Sequence, residues 1–364
     1  MNNNLENLLV SPDQSVKSAI EVMGRAGRKV VFVTSGNKTL LGIFTDGDMR
    51  RYILKGGDLF ASIGLAMNKA PYVLKTGWTH DDLQACFVAD NRFVCPIVDD
   101  DGKLVEAIFR TEYSDKLENF SIPRLPPGVH TVIMAGGFGK RLYPYTKVLP
   151  KALVPVGDKP ILTHIINKFM GFGCEDFHLI VNHKRNLIKA YYAEENLPCH
   201  ISYYDEETPL GPAGGLYLLK GKMKSAFFMS NCDSLVEADY AQIYNFHKRE
   251  GNVITAVGAL RDVEVPYGVF RVKGEGSAIE SVDEKPSQAY LANVGVYLFE
   301  PEVLDAVEDN KFLLTTDLIM HFVNAGRKVG VYPVDGEAWQ DMGQLDEMKK
   351  MAKNLERKQE QDGK

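Results

Sequence analysis

The sequence predicts a two-part α/β protein, with an α+β repeat pair in front and a larger domain on a mostly parallel sheet behind it. Three observations carry this reading. At 364 residues the chain is longer than one ordinary domain. Its first third repeats itself. From Val129 onward, strand-like runs alternate with helix-like ones, the pattern of a mostly parallel sheet covered by helices on both faces.

The repeat aligns Val10–Arg51 with Leu74–Lys116 at a shift of 65 residues, placing Val31, Phe32 and Val33 on Pro96, Ile97 and Val98. Each copy reads as a short strand, an amphipathic helix, two strands and a second helical stretch. In the first copy these are a helix over Val16–Ala26 and strands over Val30–Thr34 and Leu40–Thr45, around the turn Ser35-Gly36-Asn37. A unit this small buries little surface alone, so the copies are expected to pack as a pair. Ser121-Ile-Pro-Arg-Leu-Pro-Pro-Gly128, with three prolines and a glycine, reads as a semi-rigid linker. The expected domains are therefore 1–120, a linker at 121–128, a main domain at 129–350 and a charged helical tail at 351–364.

In the main domain the strand candidates are His130–Met134, Asp176–Val181, His200–Tyr204, Ala226–Ser230, Val253–Ala259, Val294–Phe299 and Lys328–Pro333. Helices are expected at Ile161–Met170, Asn186–Glu194, Tyr240–Arg249 and Thr316–Asn324. In such Rossmann-like sheets, sites lie in the loops beyond the carboxyl ends of strands.

Composition excludes several classes of function. The net charge of −6 leaves no basic footprint for nucleic acid. No run of about 18 apolar residues spans a membrane, and the N-terminus does not read as a signal peptide. Five scattered cysteines, without a CxxC pair, argue against a disulfide scaffold or a zinc site and for the cytoplasm.

The first strand of the main domain runs into Ala135-Gly136-Gly137-Phe138-Gly139-Lys140-Arg141-Leu142. Glycines there let backbone N–H groups approach phosphate oxygens, and Lys140 and Arg141 add positive charge. Read alone, the loop is equally well a plain strand-to-helix turn. Ten residues further on stands Lys151, in Leu149-Pro150-Lys151-Ala152-Leu153-Val154-Pro155-Val156. This is neither a Walker A loop nor a GxGxxG fingerprint. It resembles the entry motif of the sugar-1-phosphate nucleotidyltransferases, GGxGxRLxPxTxxxPKxLxPV. The resemblance continues in order through residue 343. Leu210-Gly211-Pro212-Ala213-Gly214-Gly215-Leu216 resembles the family's nucleobase loop, with Pro212 where Thr is usual. Asn231-Cys232-Asp233, Glu284-Lys285-Pro286, Asn293-Val294-Gly295 and Trp339-Gln340-Asp341-Met342-Gly343 resemble its metal, sugar-phosphate, sugar and second-metal elements.

The resemblance implies attack by a sugar 1-phosphate on the α-phosphorus of a nucleoside triphosphate. It assigns catalysis to Arg141, Lys151 and Lys285, and Mg²⁺ to Asp233 and Asp341. Nucleotide contacts fall to Ala135, Gly136, Gly137, Gly139, Glu207, Gly211 and Gly214, and sugar contacts to Tyr267, Gly268, Glu284 and Asn293. Asp233 by itself reads more readily as the cap of the following helix. Glu206 and Glu207 precede the base loop. A carboxylate suits the two adjacent N–H donors of guanine better than the single N–H of uracil or thymine. GTP is therefore the expected nucleotide, with UTP and dTTP the alternatives, and glucosamine, N-acetylglucosamine or mannose 1-phosphate the expected acceptors in surface-glycan or nonulosonic-acid synthesis. The leading repeat resembles tandem CBS domains. Gly42-Ile43-Phe44-Thr45-Asp46-Gly47-Asp48-Met49-Arg50-Arg51 matches their closing motif, which assigns Thr45 and Asp48 to a regulatory nucleotide. The second copy carries Arg110 and Tyr113 at the aligned positions, so one nucleotide site at most is expected. The pair serves either sensing or dimerisation, and a homodimer or higher assembly is expected. A sensing protein with an inactive transferase domain is the rival reading.

Overall fold

The computed structural model describes residues 5–89, 92–110, 124–273, 278–343 and 347–353. The expected linker is thus described only from Arg124, and the charged tail only to Lys353; the rest of each lies outside the described residues. Two compact units are formed. One comprises residues 1–122, 260–290 and 335–337, the other residues 123–259, 291–334 and 338–364. The units therefore differ from the contiguous domains expected from the sequence. An arm at 260–290, internal to the main domain in sequence, groups with the front unit.

In the front unit, β1 (Leu9–Val10), β2 (Val30–Thr34) and β3 (Leu40–Thr45) form one sheet, and β4 (Leu74–Lys75), β5 (Val94–Val98) and β6 (Leu104–Phe109) the other. Helix α1 (Val16–Ala26) starts where the Ser15 hydroxyl accepts from the Ser18 amide at 3.1 Å. It buries Val16, Ala19, Ile20 and Met23, one apolar stripe of a 3.6-residue period. Helix α2 (Asp46–Leu54) follows β3, and α3 (His80–Ala89) lies between β4 and β5. Thr79 caps α3 as Ser15 caps α1.

The pairing corrects the repeat shift from 65 to 64. Val10 pairs with Val33 and Leu74 with Ile97; Thr34 pairs with Leu40 and Val98 with Leu104. A one-residue slip exchanges the two faces of a strand. Val31, Val33 and Phe44 enter one core while Cys95, Ile97 and Ile108 enter the equivalent core of the second copy. Val30, Phe32, Val94 and Phe109 share a third cluster that joins the copies. The junction has near two-fold symmetry: the Leu40 amide donates to the Gly102 carbonyl at 3.0 Å, and the Leu104 amide to the Lys38 carbonyl at 2.9 Å. Thr45 and Asp48 thus correspond to Phe109 and Glu112, not Arg110 and Tyr113. Glu112 lies outside the described residues. The acid is kept in type, but Phe109 has no hydroxyl, so by sequence the second copy still lacks the Thr–Asp pair. Thr45 and Asp48 bond to each other at the start of α2, hydroxyl to carboxylate at 2.6 Å, in a capping box.

The second unit is built on a seven-stranded sheet, mostly parallel as expected. Its strands are β7 (Thr131–Met134), β10 (Asp176–Val181), β11 (His200–Asp205), β12 (Phe227–Asn231), β14 (Ile254–Glu264), β17 (Ser287–Phe299) and β18 (Val329–Val334), in the order β11-β10-β7-β12-β17-β14-β18. β17 runs antiparallel to β12. Its short strands are β8 (Pro155–Val156), β9 (Lys159–Pro160), β13 (Ser234–Val236) and β19 (Trp339–Asp341), whereas β15 (Val269–Val272) and β16 (Ile279–Asp283) lie on the arm that groups with the front unit. Helices α4 (Ile161–Gly171), α5 (Arg185–Glu194), α6 (Tyr240–Glu250) and α7 (Thr315–Asn324) complete the layers. Alternate residues of β10 enter opposite cores: Phe177, Leu179 and Val181 one, Ile180 the other. That burial on both faces is why the strand reads as a nearly continuous apolar run. No described helix is long and apolar enough to cross a membrane.

Candidate active site

The loops leaving the carboxyl ends of β7 and β12 gather the charged groups. After β7, Gly139 takes φ = +65°, and a Cβ there would come within 2.9 Å of Thr146 and 3.1 Å of Lys151. The backbone fold therefore needs glycine, and that close approach sets the loop against the turn Lys151–Leu153. Thr146 reinforces it by donating to the Gly139 carbonyl at 2.8 Å. Lys151 forms an ion pair with Asp233, and each side chain is only 14% exposed.

Asp341 is brought to Asp233 by a ribbon. β13 pairs antiparallel with β19, setting Ser234 opposite Asp341, and the Met342 amide donates to the Asp233 carbonyl at 2.9 Å. The ribbon is fixed from behind. The Trp339 indole donates to the Ser234 hydroxyl at 2.9 Å, and that hydroxyl donates to the Val294 carbonyl at 2.5 Å. Burial pushes the Asp341 carboxyl above its ordinary range and the charge of Asp233 adds to this; the Gly343 amide, Lys151 and Arg141 oppose it. Asp233 is paired with Lys151, and the Asp341 carboxyl lies within reach of its charge. That donor set suits a hard divalent cation, which prefers carboxylate oxygens. Arg141 is exposed. Among the described residues, no group of three or more metal-ligating side chains occurs.

The base-side predictions are partly redistributed. Glu207, the expected contact, is exposed. Its neighbour Glu206 is 4% exposed, and Oε1 has no hydrogen-bond partner. A Cβ on Gly136 would lie 3.0 Å from one carboxylate oxygen of Glu206, and one on Gly215 would lie 2.3 Å from the other. Asn182 and Arg185 hold the Glu206 carbonyl at 2.9 and 3.3 Å. Gly136 therefore gives room to the Glu206 carboxylate, whereas Gly211 and Gly214 do not open space for a ring. A Cβ on Gly211 would meet the Leu313 carbonyl at 2.8 Å, and one on Gly214 the Lys311 carbonyl at 2.5 Å. Their missing side chains admit the 311–313 segment, which the Ala213 and Leu313 amides tie to the loop. Ala135 is buried, with its amide donating to the Ile180 carbonyl at 2.8 Å; no Cβ contact closes off Gly137.

Burial pushes the Glu206 carboxyl up to about 7. Its folded value lies above the unfolded one, near 4.5, so the ionised group costs the fold nothing below pH 4.5 and its full penalty above pH 7. Glu206→Gln is accordingly expected to raise the thermal midpoint at pH 8 by roughly 2–4 °C, with the gain vanishing near pH 4.5. Calorimetry across that range checks it.

Of the sugar-side residues, Asn293 lies in the sheet unit. Its amide nitrogen donates to the Tyr297 hydroxyl at 2.6 Å, and its oxygen accepts from the Gly295 amide at 3.1 Å. Tyr267, Gly268, Glu284 and Lys285 all fall on the arm. There the Glu284 carboxylate lies 3.0 Å from the position of a Gly268 Cβ, and Lys285 is exposed with φ = +46°.

A glycine loop after the first strand of a mostly parallel sheet, with Asp233 and Asp341 brought together beside Lys151, is an arrangement suited to phosphate groups. A model of the nucleotidyl transferase family matches residues 130–358, and the chain belongs to that family. A CBS domain model matches residues 4–55. Among curated relatives, the chain is similar to mannose-1-phosphate guanyltransferase of Schizosaccharomyces pombe, 33% identical over 58% of this chain and 60% of that protein. It is also similar to a catalytic subunit beta of mannose-1-phosphate guanylyltransferase from Dictyostelium discoideum, 32% identical over the same shares. The chain thus spans about 60% of the length of the curated relatives it matches. The solved structure of HddC from Yersinia pseudotuberculosis shares the fold, with a TM-score of 0.50 and 20% identity over 62% of this chain and 99% of that one.

Proposed function

We propose that the chain transfers guanylyl from GTP to a hexose 1-phosphate, forming a GDP-sugar and releasing pyrophosphate. The observation that carries the reading is the convergence of Lys151, Asp233 and Asp341 below the glycine loop, with the buried Glu206 carboxylate beside Gly136. The guanine N1–H and N2–H donors would satisfy the carboxylate that Oε1 leaves open. The names of the relatives support the same base.

A sugar-phosphate oxygen attacks the α-phosphorus, and the bond from that phosphorus to the β-phosphate oxygen breaks as pyrophosphate departs. Both reactants are polyanions, so placing them and offsetting their charge supplies most of the acceleration. Lys151 meets the α-phosphate and Arg141 the departing β- and γ-phosphates, where a guanidinium fork holds two oxygens at once. Asp233 and Asp341 would hold Mg²⁺, which when bound polarises the α-phosphate. Lys285 is assigned to the sugar phosphate, with Tyr267, Gly268, Glu284 and Asn293 toward the sugar. The acceptor is mannose 1-phosphate or its 2-amino or 2-acetamido glucose counterpart. We place the enzyme in the cytoplasm, where its five free thiols persist, and as a homodimer joined through the CBS pair.

The test is competition among GTP, ATP, UTP and dTTP with each sugar 1-phosphate and Mg²⁺, with the product read by mass. GDP-sugar should dominate; a UDP- or dTDP-sugar would overturn the base assignment. Because Glu206 must be ionised to accept, KM for GTP is expected to rise about tenfold per pH unit as pH falls below about 7. In Glu206→Gln that pH dependence should be absent.

A further inference from the structure

The arm that carries the proposed sugar-phosphate lysine is packed into the first CBS repeat. Leu260 and Ala289, at its two ends, lie against the core formed by Val16, Ala19, Ile20 and Met23 of α1. Between them Asp262 meets Lys17 of the same helix at 3.1 Å, with side chains 34% and 21% exposed. The Lys17 ammonium also stands 5.5 Å from the centre of the Phe60 ring. Gly336 closes the group against the Leu260 carbonyl, where a Cβ would approach to 2.3 Å.

Further out, the described part of the arm is a thin ribbon. β15 and β16 form a sheet of two strands only, and such a ribbon is marginal by itself. Phe270 faces Val282, and Val272 faces Ile279, and all four side chains are more than half exposed. The ribbon thus contributes no core of its own. The described packing of the arm lies instead at its ends, where Leu260 and Ala289 meet the core beneath α1.

We propose that Lys17, through Asp262, is a positioning residue that aligns the arm for the sugar 1-phosphate. This rests on the assignment of Lys285 to that substrate. The CBS repeat is then part of the acceptor machinery, and not only a regulatory appendage. Lys17→Glu sets two like charges together, while Lys17→Asp combined with Asp262→Lys restores an opposite pair.

Steady-state kinetics on the full chain should show KM for the sugar 1-phosphate raised about fivefold in Lys17→Glu. KM for GTP and kcat should be unchanged, and the swapped pair should return to within about twofold of the parent. An unaltered sugar KM in folded Lys17→Glu, equal losses for both substrates, or failure of the swap to restore would overturn the proposal. Hydrogen exchange gives a readout independent of turnover. Amides of 260–264 and 287–290 should exchange faster in Lys17→Glu and recover in the swap. No change there overturns the positioning role even if the parent releases no pyrophosphate, which would instead count against the catalytic reading.

Discussion

Lys151→Ala is expected to lower kcat by about 10³-fold while the Kd for GTP changes less than about threefold. Its ammonium faces Asp233 in the half-buried centre of the site, where charge is screened poorly by water. In the proposed reaction, contact with the α-phosphate becomes most valuable as negative charge builds during attack, so the loss should fall on turnover. GTP would retain the contacts proposed for its base and outer phosphates, so binding should persist. Single-turnover rates together with calorimetric titration separate the two quantities. Equal losses in both would mean that Lys151 merely helps to hold the nucleotide.

Asp233→Asn should cost about 10²- to 10³-fold in kcat and raise the Mg²⁺ concentration needed for half-maximal rate at least tenfold. The substitution removes the carboxylate that pairs with Lys151 and that raises the Asp341 carboxyl. Asp341 alone would offer one acidic ligand, from β19. Metal titrations of turnover read this directly, and an unchanged metal requirement would remove Asp233 from the ligand set.

The sheet was legible in the sequence because its strands are bounded by turn residues and its helices show clear periodicity. Asp176–Val181 begins and ends as expected, and Ile161–Gly171 and Tyr240–Glu250 each extend the expected helix by one residue. The repeat was legible as a pattern but not in register. All residues of both Val30–Thr34 and Val94–Val98 are buried, so neither strand alternates and nothing local marks its phase. Hydrogen bonds across the two copies supply the phase. The hairpin of β15 and β16 was missed because its apolar residues face outward instead of forming a core.

In the site, the charged residues were legible by type and order, but their roles depend on contacts across long sequence distances. Asp233 and Asp341 meet only because β13 and β19 pair. Gly211 and Gly214 could be read as a base-side loop, yet the chain at 311–313 fills the space they leave. The burial of Glu206 and exposure of Glu207 did have a local signal. Continued past β11, a period of two sets Glu206 on the face of Tyr204, which packs toward Ile180 and Leu216, and turns Glu207 the other way. The buried carboxylate then falls beside Gly215, and the exposed one points to solvent.

The central claim is nucleotidyl transfer, and labelled GTP tests it most directly. With the purified chain, Mg²⁺ and a hexose 1-phosphate, label at the α-phosphate should appear in a sugar nucleotide, and label at the γ-phosphate in pyrophosphate. Release of γ-label as orthophosphate, or retention of both labels in GTP with every acceptor, would contradict the account.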